Sequence, residues 1–313
     1  MKSSSHDPAS NREQNTVSFS SDRPNSTENH CDPAVEWARI SPSKVIVATA
    51  DKAWLLEDSD PAFSPSPTNQ YLIKTMEGAG SIATTRQLLD GAIAAAKYAV
   101  NSDVRPPALT ATRWVWRLAG QYHMCHGYLP LIEEAAQRFA LKGHSILAEW
   151  AAEKAKEEAG HDLFALRDIQ ALGYDAEAVV DRLVPPAVKV LMDYLARSVQ
   201  DKNPIDCVGY SYTMERMALG VGKEYIQKVE DLLPPNVNAT RCLRTHSSIG
   251  ADAEHVEETV EMIAKLTSQE RVRIVRACYE TAVMCFSPAQ AYITDETLQP
   301  ILNPLKLEQE LAS

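Results

Sequence analysis

The chain has 313 residues, of which 45% are hydrophobic and 23% are charged, and its formal net charge is −11. This composition supports a substantial buried core. The acidic charge argues against a nucleic-acid partner, because such a partner requires a concentrated basic face that neutralises phosphates. No run of about eighteen apolar residues occurs, so the sequence predicts neither a transmembrane helix nor a membrane partner.

The N-terminal part of the chain differs in composition from the rest. Residues 1–35 are rich in Ser, Asn, Asp and Pro, so we expect them to form a disordered tail. Residues 36–75 show no sustained alternation of apolar and polar residues and include a stretch dense in Pro and Ser, which predicts an irregular lead-in segment. No apolar stretch follows Lys2, so no secretory signal peptide is expected.

The cysteines are scattered and form no CxxC pair. This pattern favours free thiols in a reducing cytoplasm over a disulfide framework or a thiolate zinc site. The six positions are Cys31, Cys125, Cys207, Cys242, Cys278 and Cys285.

From residue 76 to residue 313 the apolar residues follow a helical period. Prolines at Pro106 and Pro186 suit first helical turns, and Gly173 suits a helix end. We therefore predict an all-α fold, with about seven helices in one bundle over residues 76–313. The predicted segments are 82–102, 108–140, 144–172, 176–200, 204–231, 238–265 and 269–292.

Two pairs of an acid and a histidine recur at the same spacing. Glu158 and His161 are three residues apart, so on one helix their side chains emerge about 60° apart around the axis. Asp252 and His255 repeat this spacing on a later predicted helix. A Glu-x-x-His pair that projects into a helical bundle is a building block of di-iron carboxylate sites. The alternatives are a solvated charged face for the first pair and a surface hydrogen bond for the second.

A third predicted helix carries Glu215 among largely apolar residues. Burying this carboxylate is costly unless it is paired or binds a metal. The alternatives to metal binding are a salt bridge with Arg216 and a position on the surface. Gly209 on the same helix allows another helix or a substrate to approach the backbone closely.

His123 and His126 lie three residues apart on one face of the predicted helix 108–140. Either or both can complete a metal site. The alternative for each is a core histidine that is hydrogen-bonded to a backbone carbonyl.

Taken in order, these segments resemble the haem-oxygenase-like di-iron oxidases and oxygenases. This superfamily shares its helical fold with the thiaminase-like proteins and with the oxidase of pyrroloquinoline quinone biosynthesis. The resemblance covers about residues 108–290. It rests on the run from Glu157 to Asp162 that leads to Asp168 and Leu172-Gly173, on Asn203-Pro204 through Gly209-Tyr210 to Glu215, and on His246 through Asp252 to His255. It implies a bundle that holds two Fe(II) ions, with dioxygen as co-substrate. The implied ligands are Glu158, His161, Glu215, Asp252 and His255.

Two positions depart from the pattern of that superfamily. The residue four before Asp252 is Ser248, where the superfamily has histidine, and the nearest histidine is His246. A helical bulge at Gly250 would bring His246 back to the ligand face, so we keep it as a candidate. The early-helix ligand has no clear match, and the resemblance leaves His123 and His126 as candidates, with two glutamates, Glu133 and Glu134, as substitutes.

The leading hypothesis is therefore a cytoplasmic, iron-dependent oxidoreductase that uses dioxygen to oxidise a small metabolite, such as an amino acid or a fatty acid derivative. A second hypothesis is a metal-free relative that uses a buried His/Glu pocket for acid–base chemistry. A third is a helical interaction protein without catalysis. A homodimer remains open, and the fold does not choose the reaction or the substrate.

Overall fold

The computed structural model describes residues 35–57, 76, 80–100, 104, 106–247, 252–287 and 293–307, and of residues 252 and 253 only the helical backbone. Residues 1–34 of the tail predicted over 1–35, the Pro-rich stretch and Gly250 lie outside these residues. Within them, no helix is both long enough and apolar enough to cross a membrane.

The fold is a helical bundle with a small sheet at its N-terminal side. The strands are β1 (Glu36–Ser41), β2 (Lys44–Ala48) and β3 (Ala53–Glu57). The helices are α1 (Ile82–Ala99), α2 (Ala111–Leu141), α3 (Ser145–Glu158), α4 (Asp162–Ala171), α5 (Ala176–Arg182), α6 (Pro186–Gln200), α7 (Asp206–Ala218), α8 (Lys223–Glu230), α9 (Arg241–Thr245), α10 (Asp252–Ala264), α11 (Ser268–Phe286) and α12 (Asp295–Leu302), and α12 is followed by a 3₁₀ turn over Asn303–Leu305.

The irregular lead-in expected over residues 36–75 is wrong for residues 36–57, which form an antiparallel meander in the order β1-β2-β3. Each strand has only five or six residues, so each offers a short signal. The central strand β2 is buried on both faces, with Val45, Ile46 and Val47 inaccessible to solvent. A strand buried on both faces is a continuous apolar run without alternation, which is why the pattern was missed.

Four of the predicted helical segments are each divided in two. Breaks separate α3 from α4, α5 from α6, α7 from α8 and α9 from α10. Leu183–Pro185 explains the second break, since the proline ring disfavours a helical residue before it. Gly160, with φ +83°, lies in the first break in a conformation that favours glycine.

Two large apolar clusters form the core of the described residues, and α2 contributes to both. One cluster gathers α1, α3, α6, α7, α10 and α11 with the inner face of the sheet. The other lies under the N-terminal half of α2, together with α4, α5, α8, α9 and α12. A third, smaller cluster lies on the other face of the sheet and consists of Val45, Val47, Trp54 and Leu56. Gly209 allows α7 to pack tightly on α11, because a Cβ there would lie 2.5 Å from the carbonyl oxygen of Ile274. The close approach predicted at Gly209 is confirmed.

A buried ion pair joins the sheet to the bundle. Arg271 on α11 donates from Nη2 to Glu36 Oε1 at 2.7 Å and from Nη1 to the Leu266 carbonyl at 2.7 Å. Both charged side chains are almost fully buried. Burial raises the pKa of Glu36, while the Arg271 guanidinium opposes that rise.

Removing Glu36 should therefore cost far more stability than removing an exposed glutamate of the same sheet. Glu36→Ala leaves the Arg271 charge buried without this carboxylate, and we expect a loss of about 3–5 kcal/mol in the free energy of unfolding. The matched control Glu57→Ala removes the partly exposed pair with Lys44 and should cost about 0–1 kcal/mol. Urea unfolding measures both values, and equal losses would contradict the assignment.

Candidate metal centre

Three of the predicted ligands meet between the helices. Glu158 Oε2 accepts a hydrogen bond from His161 Nδ1 at 2.9 Å and lies 3.9 Å from His246 Nε2. The imidazole rings of His161 and His246 pack edge to face, with centroids 4.8 Å apart and an interplanar angle of 78°. Each side chain is largely buried. One carboxylate and two imidazoles thus present their ligand atoms within 4.8 Å of one another.

Glu158 and His161 reach this cluster from two helices rather than from one. Glu158 is the last residue of α3, and His161 is the residue that precedes α4. The turn over Gly160 keeps them close, since the His161 amide donates to the Glu158 carbonyl at 3.2 Å. The expected shared helical face is therefore wrong, although the two side chains are in contact as the spacing suggested.

His246 joins the cluster because α9 ends there. It follows Thr245, the last residue of α9, and its backbone (φ −94°, ψ 65°) is not helical. The sequence predicted one helix over 238–265 that carries both His246 and His255. In the structure, His246 lies outside the helix that carries His255. The predicted bulge at Gly250 lies outside the described residues, and the approach of His246 to Glu158 and His161 follows from the position of α9.

Asp168 on α4 holds α9 in that position. Its side chain is completely buried. Oδ1 accepts from Arg241 Nη1 at 2.9 Å, and Oδ2 accepts from the Cys242 amide at 3.1 Å. Burial raises the pKa of Asp168, and these hydrogen bonds oppose the rise. The sequence signal for this role was an acid among the apolar residues of α4, and it was missed.

A lysine occupies the space beside the cluster. Lys154 on α3 is buried, and its Nζ lies 2.9 Å from Glu157 Oε2 and 3.0 Å from Glu215 Oε1. Burial lowers the pKa of Lys154, but the carboxylates of Glu215 and Glu157 outweigh burial and raise it overall. The expectation that this part of α3 is a solvated charged face is wrong for Lys154, which neutralises two interior carboxylates.

Two further candidates, Glu215 and His255, contact Lys154 and its partner Glu157, respectively. Glu215 contacts Lys154, while Arg216 pairs with Asp90 on α1, so the predicted alternative of a Glu215–Arg216 bridge gives way to a Glu215–Lys154 bridge. His255 Nε2 is 3.5 Å from Glu157 Oε1. The side chain of Asp252 lies outside the described residues, and its role as a ligand stays a prediction.

The two histidines of α2 lie away from the cluster. His123 Nε2 donates to the carbonyl oxygens of Val180 and Leu183 at 3.0 and 3.1 Å, as the core-histidine alternative predicted. His126 is exposed and contacts Asp162 at 2.9 Å. The two glutamates considered as substitutes lie farther along α2, and one of them, Glu134, bonds Arg138.

Helix α2 reaches the cluster through Cys125 instead. Its Sγ lies 3.8 Å from His246 Nε2. A hydrogen bond from the Cys242 thiol lowers the pKa of Cys125 to about 6, burial opposes this effect, and His246 adds to it. Cys125 was not predicted as part of the site, because no second cysteine is near it in sequence.

The groups around Glu158 lower the pKa of its carboxyl group. Burial raises the pKa of Glu158, but the hydrogen bond from His161 and the nearby His246 and Lys154 outweigh burial, so that its pKa is lowered overall. Glu158 is thus a carboxylate at neutral pH, with two imidazole nitrogens in reach. This arrangement can bind a divalent cation, or it can transfer a proton between Glu158 and His161.

No model of a known protein family matches the chain, and no curated protein matches its sequence. Among solved structures, it is similar to a TenA homologue from Pseudomonas syringae pv. tomato, with TM-score 0.50 and 13% identity over 68% of this chain and 98% of that one. It also matches a domain of unknown function with a heme oxygenase-like fold from Shewanella denitrificans, with TM-score 0.43 and 24% identity over 68% of this chain and 90% of that one. The likeness to the TenA homologue shows a shared helical fold, and the helical bundle expected from the sequence is confirmed.

Loss of the Asp168 carboxylate should release α9 and with it His246. Asp168→Ala removes the acceptor of the Cys242 amide and one of the two acceptors of Arg241 Nη1, so we expect a loss of about 2–3 kcal/mol in unfolding free energy. Hydrogen exchange at the Cys242 amide should become faster, while exchange in α3 changes less. Asp193→Ala, which removes an exposed pair with Lys189, is the control. Unchanged exchange at Cys242 would show that Asp168 does not position α9.

Proposed function

We propose that the chain is a non-haem, iron-dependent oxidoreductase that uses dioxygen to oxidise a small metabolite in a reducing cytoplasm. The observation that carries this proposal is the convergence of Glu158, His161 and His246 from three separate elements. Two imidazoles and one carboxylate are the ligand set of non-haem iron sites that leave positions open for dioxygen and substrate. Such a set is uncommon by chance in a partly buried position, because each polar group must be desolvated.

The residues of the cluster fit a first iron ion. Ferrous iron, when bound, supplies electrons to dioxygen. Glu158 is held as a carboxylate by the groups around it, so its charge is available to a cation. His161 Nδ1 donates a hydrogen bond to Glu158, so the imidazole would have to carry its proton on Nε2 for Nδ1 to bind a metal. Metal binding at the cluster would therefore replace the hydrogen bond between Glu158 and His161 with bonds to the metal.

The resemblance implies a second iron ion, and the Lys154 ammonium would compete with that ion for carboxylate ligands. The proposed ligands of this iron are Glu215, Asp252 and His255, and the Lys154 ammonium now lies between Glu215 and Glu157. A buried ammonium and a metal cation satisfy the same carboxylates, so one must leave when the other binds. We infer that the first iron binds tightly and that a second iron binds only when Lys154 moves.

The proposed substrate class is an amino acid or a fatty acid derivative. An open groove of about 600 Å³ runs between α2 and α3, and its lining includes Ala159, the residue that follows Glu158. Its walls are mainly apolar, with Leu129 and several alanines, while Glu133 and Lys156 add one charge of each sign. An apolar surface with both charges suits a small metabolite that has an alkyl part and ionic groups.

A second candidate function is metal-free acid–base catalysis by Glu158 and His161. The observation that favours it is their 2.9 Å hydrogen bond, together with the Lys154 ammonium, which already neutralises neighbouring carboxylates. Activity that survives a strong iron chelator would select this candidate over the iron enzyme. A helical interaction protein would show neither iron nor turnover.

Iron content tests the first proposal directly. Protein purified without oxygen should contain bound ferrous iron, and Glu158→Ala or His161→Ala should reduce iron affinity at least about tenfold, with the helical circular dichroism retained. The control is His126→Ala, which removes an exposed histidine of α2 that lies outside the cluster. Wild-type iron content in both cluster variants would exclude an iron site at these residues.

Replacing Lys154 tests the competition for the second iron. Lys154→Met keeps much of the side-chain volume but removes the ammonium, so Glu157 and Glu215 lose their shared cation. Without iron this variant should be about 3–5 kcal/mol less stable than the wild type. Added ferrous iron should restore much of that stability and raise the iron content per chain. Lys156→Met, at an exposed position of the same helix, is the matched control. If iron neither stabilises Lys154→Met nor binds in greater amount, the second site is absent.

A further inference from the structure

Two cysteines that are remote in sequence meet at the other side of His246. Cys125 on α2, Cys242 on α9 and His246 present their ligand atoms within 4.8 Å of one another. We propose that these three residues form a separate metal site for a thiophilic cation such as Zn²⁺, which shares His246 with the cluster of Glu158 and His161. The scattered cysteine pattern argued against a thiolate zinc site, and this proposal departs from that expectation because α9 packs on α4 and brings Cys242 and His246 beside Cys125.

The distance between the Cys125 sulfur and the His246 nitrogen is close to the one that a tetrahedral ion requires. Zinc binds thiolate sulfur at about 2.3 Å and imidazole nitrogen at about 2.05 Å, so a tetrahedral angle separates the two ligand atoms by about 3.6 Å. The distance from Cys125 Sγ to His246 Nε2 is 3.8 Å. A shift of about 0.2 Å, well within side-chain motion, therefore completes this edge of the coordination polyhedron.

The backbone holds two of the ligands in place before any ion binds. Cys242 and His246 are linked by a hydrogen bond from the His246 amide to the Cys242 carbonyl at 3.1 Å. The Cys242 amide in turn donates to the buried Asp168 carboxylate at 3.1 Å. Cys125 lies on the long helix α2, which packs in both core clusters. Ligands on packed elements lose little freedom on binding, which favours a preformed site.

Sulfur ligands and oxygen ligands select different ions. Thiolates favour zinc and other soft cations, whereas the carboxylate of Glu158 favours a hard one. His246 Nε2 lies 3.8 Å from Cys125 Sγ and 3.9 Å from Glu158 Oε2, almost midway between the two sets. A single nitrogen lone pair ligates one ion at a time. Zinc on the cysteines should therefore weaken iron binding at Glu158 and His161. This competition rests on the proposed iron site, but the thiolate site does not depend on it.

Cobalt(II) tests the site in the full-length protein, because thiolate ligands give it a charge-transfer absorption in the near ultraviolet that oxygen and nitrogen ligands lack. When cobalt(II) is titrated anaerobically into the reduced, metal-free wild type, this absorption should appear and reach saturation. Cys125→Ser and Cys242→Ser should each lose it or bind cobalt at least about tenfold more weakly. The matched control Cys285→Ser, which removes a thiol outside the group, should keep it.

Glu158→Ala separates this site from the iron cluster. The variant should keep the cobalt–thiolate absorption while losing iron, and Cys125→Ser should lose the absorption while keeping iron. If Cys242→Ser does not fold, the partly buried Cys125 decides the result. Absence of the absorption in the wild type, or its persistence in Cys125→Ser, overturns the proposal. Loss of the absorption in Glu158→Ala also overturns it, because the thiols would then serve one mixed centre. Wild-type protein that binds cobalt through thiolate but no iron would refute the proposed function alone.

Discussion

Three glutamates, Glu157, Glu158 and Glu215, carry negative charge into the interior between α3 and α7, and the surrounding structure compensates for that charge. The Lys154 ammonium pairs with the carboxylates of Glu157 and Glu215, while His161 and His246 lie near Glu158. An interior carboxylate without such partners would cost several kcal/mol, a large share of the net stability of a domain. A bundle that keeps this many ionic groups at its centre gives up apolar packing there, which is the usual sign of a functional site.

The ends of helices, rather than their faces, bring the ligands together. Glu158 ends α3, His161 precedes α4, and His246 follows α9. At such ends the backbone leaves its regular path, so residues can approach at angles that a single helical face does not allow. Asp168 fixes the helix that His246 follows, because it accepts hydrogen bonds from the first residues of α9. The candidate metal centre is thus assembled from chain breaks that the core holds in place.

His246 connects two sets of ligand atoms with different chemistry. Toward α3 it meets the oxygen of Glu158, and toward α2 it meets the sulfur of Cys125. In the resembling oxidases an early helix supplies a ligand to the iron site. Here α2 brings a thiol to that neighbourhood, while His123 bonds backbone carbonyls and His126 faces solvent. The residues of α2 therefore depart from the ligand pattern of the oxidases that the sequence resembles.

The helical fold was predictable from sequence, because apolar residues at a period of 3.6 report which face of a helix is buried wherever the helix forms. The pairing of Glu158 with His161 was predictable as well, since three residues of chain limit how far two side chains can separate. The β-meander was missed because its central strand is buried on both faces and shows no alternation. Lys154, Asp168 and Cys125 were missed for a different reason: their partners lie on other helices. Whether a lysine among charged neighbours faces solvent or two interior carboxylates depends on how α3 is rotated against α7, and that rotation is set by the packing of the whole core rather than by any local pattern.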